Sequence, residues 1–252
     1  MNSMNIKEIV ASKPYLKDIF GLYENVEEFS EIVLKSINGH MNDKAACYPP
    51  DLIDQVFRKF SSIFEIPVEN LAPLNEAMSL GQIDFTRLPL NEVPAFSLPY
   101  HEDELSMLLF IIGKPYFLAL GKKQDEHRRA WEAGRCPVCN ALPVLSSIDW
   151  EGRRHLYCSF CGTKGQFKRI SCPVCKSTEN EQLNIITAEE EEGFRIDTCD
   201  ACKSYIKTVQ ADRMENLAPD YVDLLSLPLD IIAQNKGYKR NAPNPIGMLR
   251  IP

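Results

Sequence analysis

The 252-residue sequence is most informative at first for what it lacks. It has four histidines, His40, His101, His127 and His155, scattered along the chain with no nucleophile set beside any of them. It has no glycine-rich phosphate loop and no pair of carboxylates in a recognisable setting. These absences leave no acid–base or nucleophilic constellation, so the chain reads as something other than an enzyme. The opening stretch, MNSMNIKEIVASKPY, has no basic region followed by a long apolar run, so no exporting leader is expected there. The longest apolar stretch, 105–120, is interrupted by Lys114 and Pro115 and falls short of the ~20 residues that span a bilayer. A buried helix, or one broken at Pro115, is expected, with no membrane insertion.

Charge is also unevenly supplied. The net charge is −7, which argues against a dedicated nucleic-acid binder. Residues 122–176 nevertheless hold eleven Lys/Arg against five Asp/Glu, a basic stretch that could face an acidic partner, with Arg128, Arg129, Arg153 and Arg154 as its candidates. Apolar residues make up 44% of the chain, enough for a substantial core.

What is abundant is paired cysteine. Eight of the nine cysteines form four Cys-x-x-Cys pairs: Cys136/Cys139, Cys158/Cys161, Cys172/Cys175 and Cys199/Cys202. Each such turn points two sulfurs the same way, and two turns supply four thiolates for a tetrahedral ion. Two metal sites are expected, and four soft sulfur donors suit zinc or mononuclear iron alike. With every ligand set closed by cysteine, no open coordination position is expected. Unbridged thiols also fit a reducing cytoplasm. Cys47 stands alone and reads as a small buried thiol.

Secondary structure changes period along the chain. Apolar stripes at helical spacing run through 26–37, where Asn25 and Glu28 look like a capping box, and through 51–64. Weaker helices are expected over 69–80 and 122–133. Pro89, Pro94 and Pro99 suggest an extended connection at 84–99. Within the cysteine window the period becomes two. Residues 142–149 and 153–157 read as one hairpin, and 182–187 and 194–198 as another, with the acidic turn 189–192 solvated. Knuckle, hairpin, knuckle and strand thus occur twice. That duplication favours sequential closure, the first pair with the second and the third with the fourth, over an interleaved cross-brace. Asn140 and Gly162, each following a second cysteine, tolerate positive φ; Lys176 and Lys203 at the same place fit less well. Helical period returns over 219–235, with Pro228 expected to kink or split it.

The segment RCPVCNALPVLSSIDWEGRRHLYCSFCGTKGQFKRISCPVC, continued by EGFRIDTCDACKSYIKTV, resembles the formate dehydrogenase accessory protein family, FdhE. The ending DYVDLLSLPLDIIAQNKGYKRNAPNPIG is similar to that family's too. The resemblance implies an α+β multidomain fold with a helical domain (1–134) and two rubredoxin-like, zinc-ribbon-like β modules (135–170 and 171–211). The C-terminal helix and tail (212–252) have an apolar stripe to bury and are expected to pack back on the helical domain. The resemblance implies further that the eight cysteines hold two metal ions, iron being the metal expected. It also implies a role in maturing respiratory formate dehydrogenase by binding its catalytic subunit in the cytoplasm. A ribbon-type nucleic-acid binder and a rubredoxin-like electron carrier are the competing readings.

Overall fold

The computed structural model describes residues 11–37, 47–90, 98–123, 130–189, 191–214 and 217–250. Within them the fold is α+β: six α-helices and one six-stranded sheet. Much of the expected helix at 122–133 and the 91–97 part of the expected 84–99 connection fall outside the described residues.

Helix α1 spans Lys17–Ile37, so it begins well before Asn25. The capping-box pattern there is coincidental. Phe20 and Tyr23 continue the stripe of Val26, Phe29 and Val33 toward the N-terminus, and burying them outweighs the local cap signal. Helices α2 (Pro50–Phe64) and α3 (Val68–Ser79) each start beside a proline, which suits a first turn whose N–H groups lack helical partners. Phe29 meets Phe60 edge-on, at 5.4 Å between ring centres. Instead of a wholly extended connection, Phe85–Leu90 forms a 3-10 turn.

Helix α4, Glu102–Lys123, runs unbroken through Pro115. The ring removes the one helical hydrogen bond that the Ile111 carbonyl would accept, and beside it Tyr48 donates its hydroxyl to the Ile112 carbonyl at 2.6 Å. By length and composition α4 is long and apolar enough to cross a membrane, yet 67% of its apolar window is buried inside the protein. Lys114, the charge that interrupts this run, is itself buried. Its Nζ lies 2.6 Å from Asp220 and above the rings of Tyr23 and Phe110.

Strands β1 (Leu145–Ile148), β2 (Arg154–Tyr157) and β3 (Lys164–Phe167) form one antiparallel unit. Strands β4 (Leu183–Ile186), β5 (Phe194–Cys199) and β6 (Ser204–Gln210) form a second. The two units share one sheet, in the order β3-β2-β1-β6-β5-β4. They join where β1 runs parallel to β6, with Leu145 opposite Lys207 and Ile148 opposite Gln210.

The chain at 219–235 forms two helices rather than one, α5 (Pro219–Leu225) and α6 (Leu227–Asn235). The break falls at Ser226, because Pro228 is accommodated in the first turn of a new helix. Helix α5 meets α1: Tyr221 packs edge-on against Tyr23 at 4.8 Å and donates to Glu27 at 2.7 Å. Helix α6 turns the other way and lies on the sheet, where Leu229 and Ala233 pack with Ile196 and Tyr205.

A buried charge network fastens these helices to the sheet. Lys207, at the centre of β6, places Nζ 2.6 Å from Asp230 and 2.9 Å from Asp223. Arg240 reaches the same two carboxylates at 2.7 Å each, and Tyr205 donates to Asp230 at 2.7 Å. Two cations face two anions with their hydrogen bonds largely satisfied, which is what makes charges tolerable at such depth. Asp230 is held below the usual carboxylate range: burial pushes it up, but Arg240 and Lys207 together outweigh that.

Candidate metal centres

Each cysteine pair sits in the same kind of backbone turn. In the first three, the N–H four residues after the leading cysteine donates to its carbonyl: Asn140 to Cys136 at 2.9 Å, Gly162 to Cys158 at 3.1 Å and Lys176 to Cys172 at 2.9 Å. The leading cysteine's own N–H donates to the carbonyl five residues on, in Ala141, Thr163 and Ser177. The fourth turn closes the β5–β6 hairpin, with Cys199 opposite Ser204. All four residues after the second cysteine have positive φ: Asn140 at 62°, Gly162 at 73°, Lys176 at 65° and Lys203 at 53°. The two lysines therefore accept a left-handed conformation that their side chains disfavour. The turn geometry overrides residue preference here. Lys203 is held by an ion pair with Asp200 at 2.6 Å.

The turns bring eight sulfurs together as two groups, Cys136/Cys139/Cys158/Cys161 and Cys172/Cys175/Cys199/Cys202. This is sequential closure. Within each group all four Sγ atoms lie within 4.8 Å of one another. Across the turns, sulfurs stand 3.4 Å apart in the first group (Cys136–Cys161 and Cys139–Cys158) and 3.7 and 3.6 Å in the second (Cys172–Cys202 and Cys175–Cys199). A disulfide needs ~2.05 Å between sulfurs. A tetrahedral ion with bonds of ~2.3 Å sets its thiolates roughly 3.8 Å apart. The donor set and its spacing thus fit a four-thiolate ion and do not fit disulfides.

Cys136 is held well below the thiol range by hydrogen bonds from Cys139 and its neighbours, Cys139 is raised by the same contact, and burial raises Cys158. In the second group burial raises Cys172 and Cys199. Burial also opposes ionisation of Cys202, but Ser204, donating from side chain and backbone, brings it below the ordinary value.

The groups differ in setting. All four cysteines of the first are buried, in the same core as the N-terminal helices. Phe160, inside the second turn, packs edge-on against Phe110 and Phe117 of α4, at 4.8 and 5.1 Å between ring centres. Gly121 lets α4 approach that turn, because a Cβ there would lie 2.3 Å from the Cys161 carbonyl oxygen. In the second group Cys175 is exposed and Cys202 half-buried.

Other expectations are revised. Arg154 belongs to no basic surface: it is buried, donating to Ser146 at 2.8 Å and to the Ser171 carbonyl at 2.9 Å, and lies 3.2 Å from Asp197. Arg153 is half-exposed but paired with Asp149 and Glu151. Arg128 and Arg129 lie outside the described residues. His155 is a β2 residue 3.2 Å from Asp149. The acidic turn is not wholly solvated, since Glu191 is buried against Lys13 at 2.6 Å. Sequence patterns do not disclose the Lys207–Asp223–Asp230–Arg240 network. Its one sequence signal is a lysine centred in the strand SYIKTV, between Ile206 and Val209.

Comparison with known proteins bears on the same half of the chain. The family profile described as FdhE, central domain, matches residues 135–169, and that described as FdhE, C-terminal domain, matches 170–246. An FdhE homolog of Aquifex aeolicus is 32% identical over 150 residues, 58% of this chain and 53% of that protein. Protein FdhE of Escherichia coli is 30% identical over 114 residues, 44% of this chain and 36% of that protein. The matched segments thus span about half or less of these relatives' length. The crystal structure of the FdhE protein from Pseudomonas aeruginosa overlays with a TM-score of 0.53 at 18% identity, covering 98% of this chain and 81% of that one, a likeness of fold. With the two domain profiles lying end to end and the curated relatives aligned to the same region, residues 135–246 are similar to the central and C-terminal domains of FdhE.

Proposed function

We propose that this protein is an accessory factor in the maturation of formate dehydrogenase. It binds the enzyme's catalytic subunit in the cytoplasm and performs no catalysis of its own. The observation that carries this reading is the pair of four-cysteine groups in an FdhE-type sheet, closed by sulfur alone and mounted on a helical domain. Cys136, Cys139, Cys158 and Cys161 would hold one ion, and Cys172, Cys175, Cys199 and Cys202 the other. Each ion clamps a hairpin too small to hold itself by apolar burial, so metal binding supplies folding energy. Iron in such a site would add a one-electron couple, whereas zinc would be a clamp alone. A nucleic-acid role is weakened by the burial of Arg154, which removes one cation from the basic stretch.

The test is affinity capture from cells respiring formate, with metal analysis of protein purified without air. Recovery of the catalytic subunit with two metal equivalents per chain is expected. Metal-loaded protein that captures no catalytic subunit overturns the reading.

A further inference from the structure

A cleft of about 430 Å³ opens between the 169–174 loop and strands β4, β5 and β6, beside the second cysteine group. That volume lies in the ordinary range of ligand sites, ~300–1,000 Å³. Its charge is unbalanced. Three arginines line it, Arg154, Arg169 and Arg195, against the single acidic residue Asp197, and the guanidinium of Arg169 lies beside Gly152. Asp197 is already committed, 2.8 Å from Arg195 and 3.2 Å from Arg154, and it accepts a hydrogen bond from Thr208 at 2.7 Å. Arg169 is exposed and makes no ion pair among the described residues. Arginines thus outnumber acidic residues by two in the lining, and Arg169, the exposed one, is the cation an incoming carboxylate can reach.

The same cleft is lined by two of the large apolar side chains that the molecule exposes, Ile170 and Ile185, each at 59%. Ile185 lies on β4, the last strand of the sheet, whose outer edge pairs with no strand among the described residues. An open edge offers unpaired N–H and C=O groups to an incoming strand. A small anion would satisfy the arginines and leave both isoleucines in water. An extended chain satisfies all three features at once: its backbone pairs with β4, and side chains on one face, at alternate positions, reach the cleft.

We propose that this cleft receives an extended acidic segment of the partner protein, with apolar residues interleaved, laid along the outer edge of β4. The inference rests on the accessory-factor reading for the partner's identity. Cys172 and Cys199 also line the cleft, so a bound segment lies against the second cysteine group.

The test uses the metal-loaded full chain and a fluorescein-labelled peptide alternating aspartate with valine, followed by anisotropy. The acidic peptide is expected to bind, and a peptide with lysine in place of aspartate to bind at least about tenfold more weakly. Arg169→Glu and Ile185→Lys, both at exposed positions, should each weaken the acidic peptide by about tenfold or more. Equal binding of the two peptides, indifference to both substitutions, or full displacement by inorganic phosphate with no dependence on Ile185 overturns the proposal. Partner capture separates the two readings. If the wild type and both variants retain the catalytic subunit equally, the cleft proposal falls and the accessory role stands. If the wild type captures none, the accessory role falls, and the peptide measurements still decide the cleft.

Discussion

The two cysteine groups are built alike and housed differently. The first is sealed into the core shared with the N-terminal helices, while the second leaves Cys175 exposed and Cys202 half-buried. The residues between paired cysteines account for much of this. Ser159 and Phe160 stand in the second turn where Asp200 and Ala201 stand in the fourth. Phe160 provides an aromatic plug for α4, whereas Asp200 faces water and pairs with Lys203. Burial of a thiolate site is therefore conferred by what docks on the turn and not by the turn itself. The first group sits where α4 meets the sheet, and the second is left accessible beside an open cleft.

That contrast can be broken most severely at the ligands. Cys158→Ser should cost the first group its ion and with it the junction with α4, giving a chain that loses its cooperative thermal transition. Structural thiolate sites contribute on the order of 10 kcal/mol or more to folding. Cys175→Ser should lose one metal equivalent yet keep the helical signal in circular dichroism. Equal damage from the two substitutions would erase the distinction.

At the docking contact, Phe160→Ala should destabilise by roughly 3–5 kcal/mol, as for other fully packed aromatics, measured by urea titration. Gly121→Ala should act in the same direction, since the added methyl meets the Cys161 carbonyl. Neither should change the metal stoichiometry at the second group. A third prediction concerns rates: a chelator in excess should remove metal in two phases, the faster one abolished by Cys175→Ser. Single-phase release would mean that exposure does not govern access.

The smallest effect is expected at Cys47, where burial pushes the thiol up to about 12. Keeping it neutral favours the fold below the ordinary thiol value of ~8.5, and that contribution drains away as pH rises toward 12. Iodoacetamide at pH 8 should therefore modify Cys47 at least about tenfold more slowly in the native protein than in urea, by mass spectrometry.

How much of this was legible beforehand depends on the range of each signal. The cysteine turns, the two hairpins and the stripes of α1 and α2 are written in spacings of two to five residues, and they read directly. The positive φ at Lys176 and Lys203 did not, because the turn dictates it against side-chain preference. Arg154 counts as surface charge in any tally, and its burial depends on partners brought from three places, Ser146, the Ser171 carbonyl and Asp197 of the other hairpin. The Lys207–Asp223–Asp230–Arg240 network draws on residues sixteen or more apart, apart from the internal spacings of the C-terminal segment. No local period encodes it.

The parallel pairing of β1 with β6 sets an order of assembly. Each cysteine turn and hairpin closes over a short loop, but Leu145 must find Lys207 across the whole of the second unit. Such a long closure loses chain entropy before any contact rewards it, so the central seam zips last. Ions captured by the separate hairpins would already be in place when it does, making metal supply a checkpoint on the way to the finished sheet.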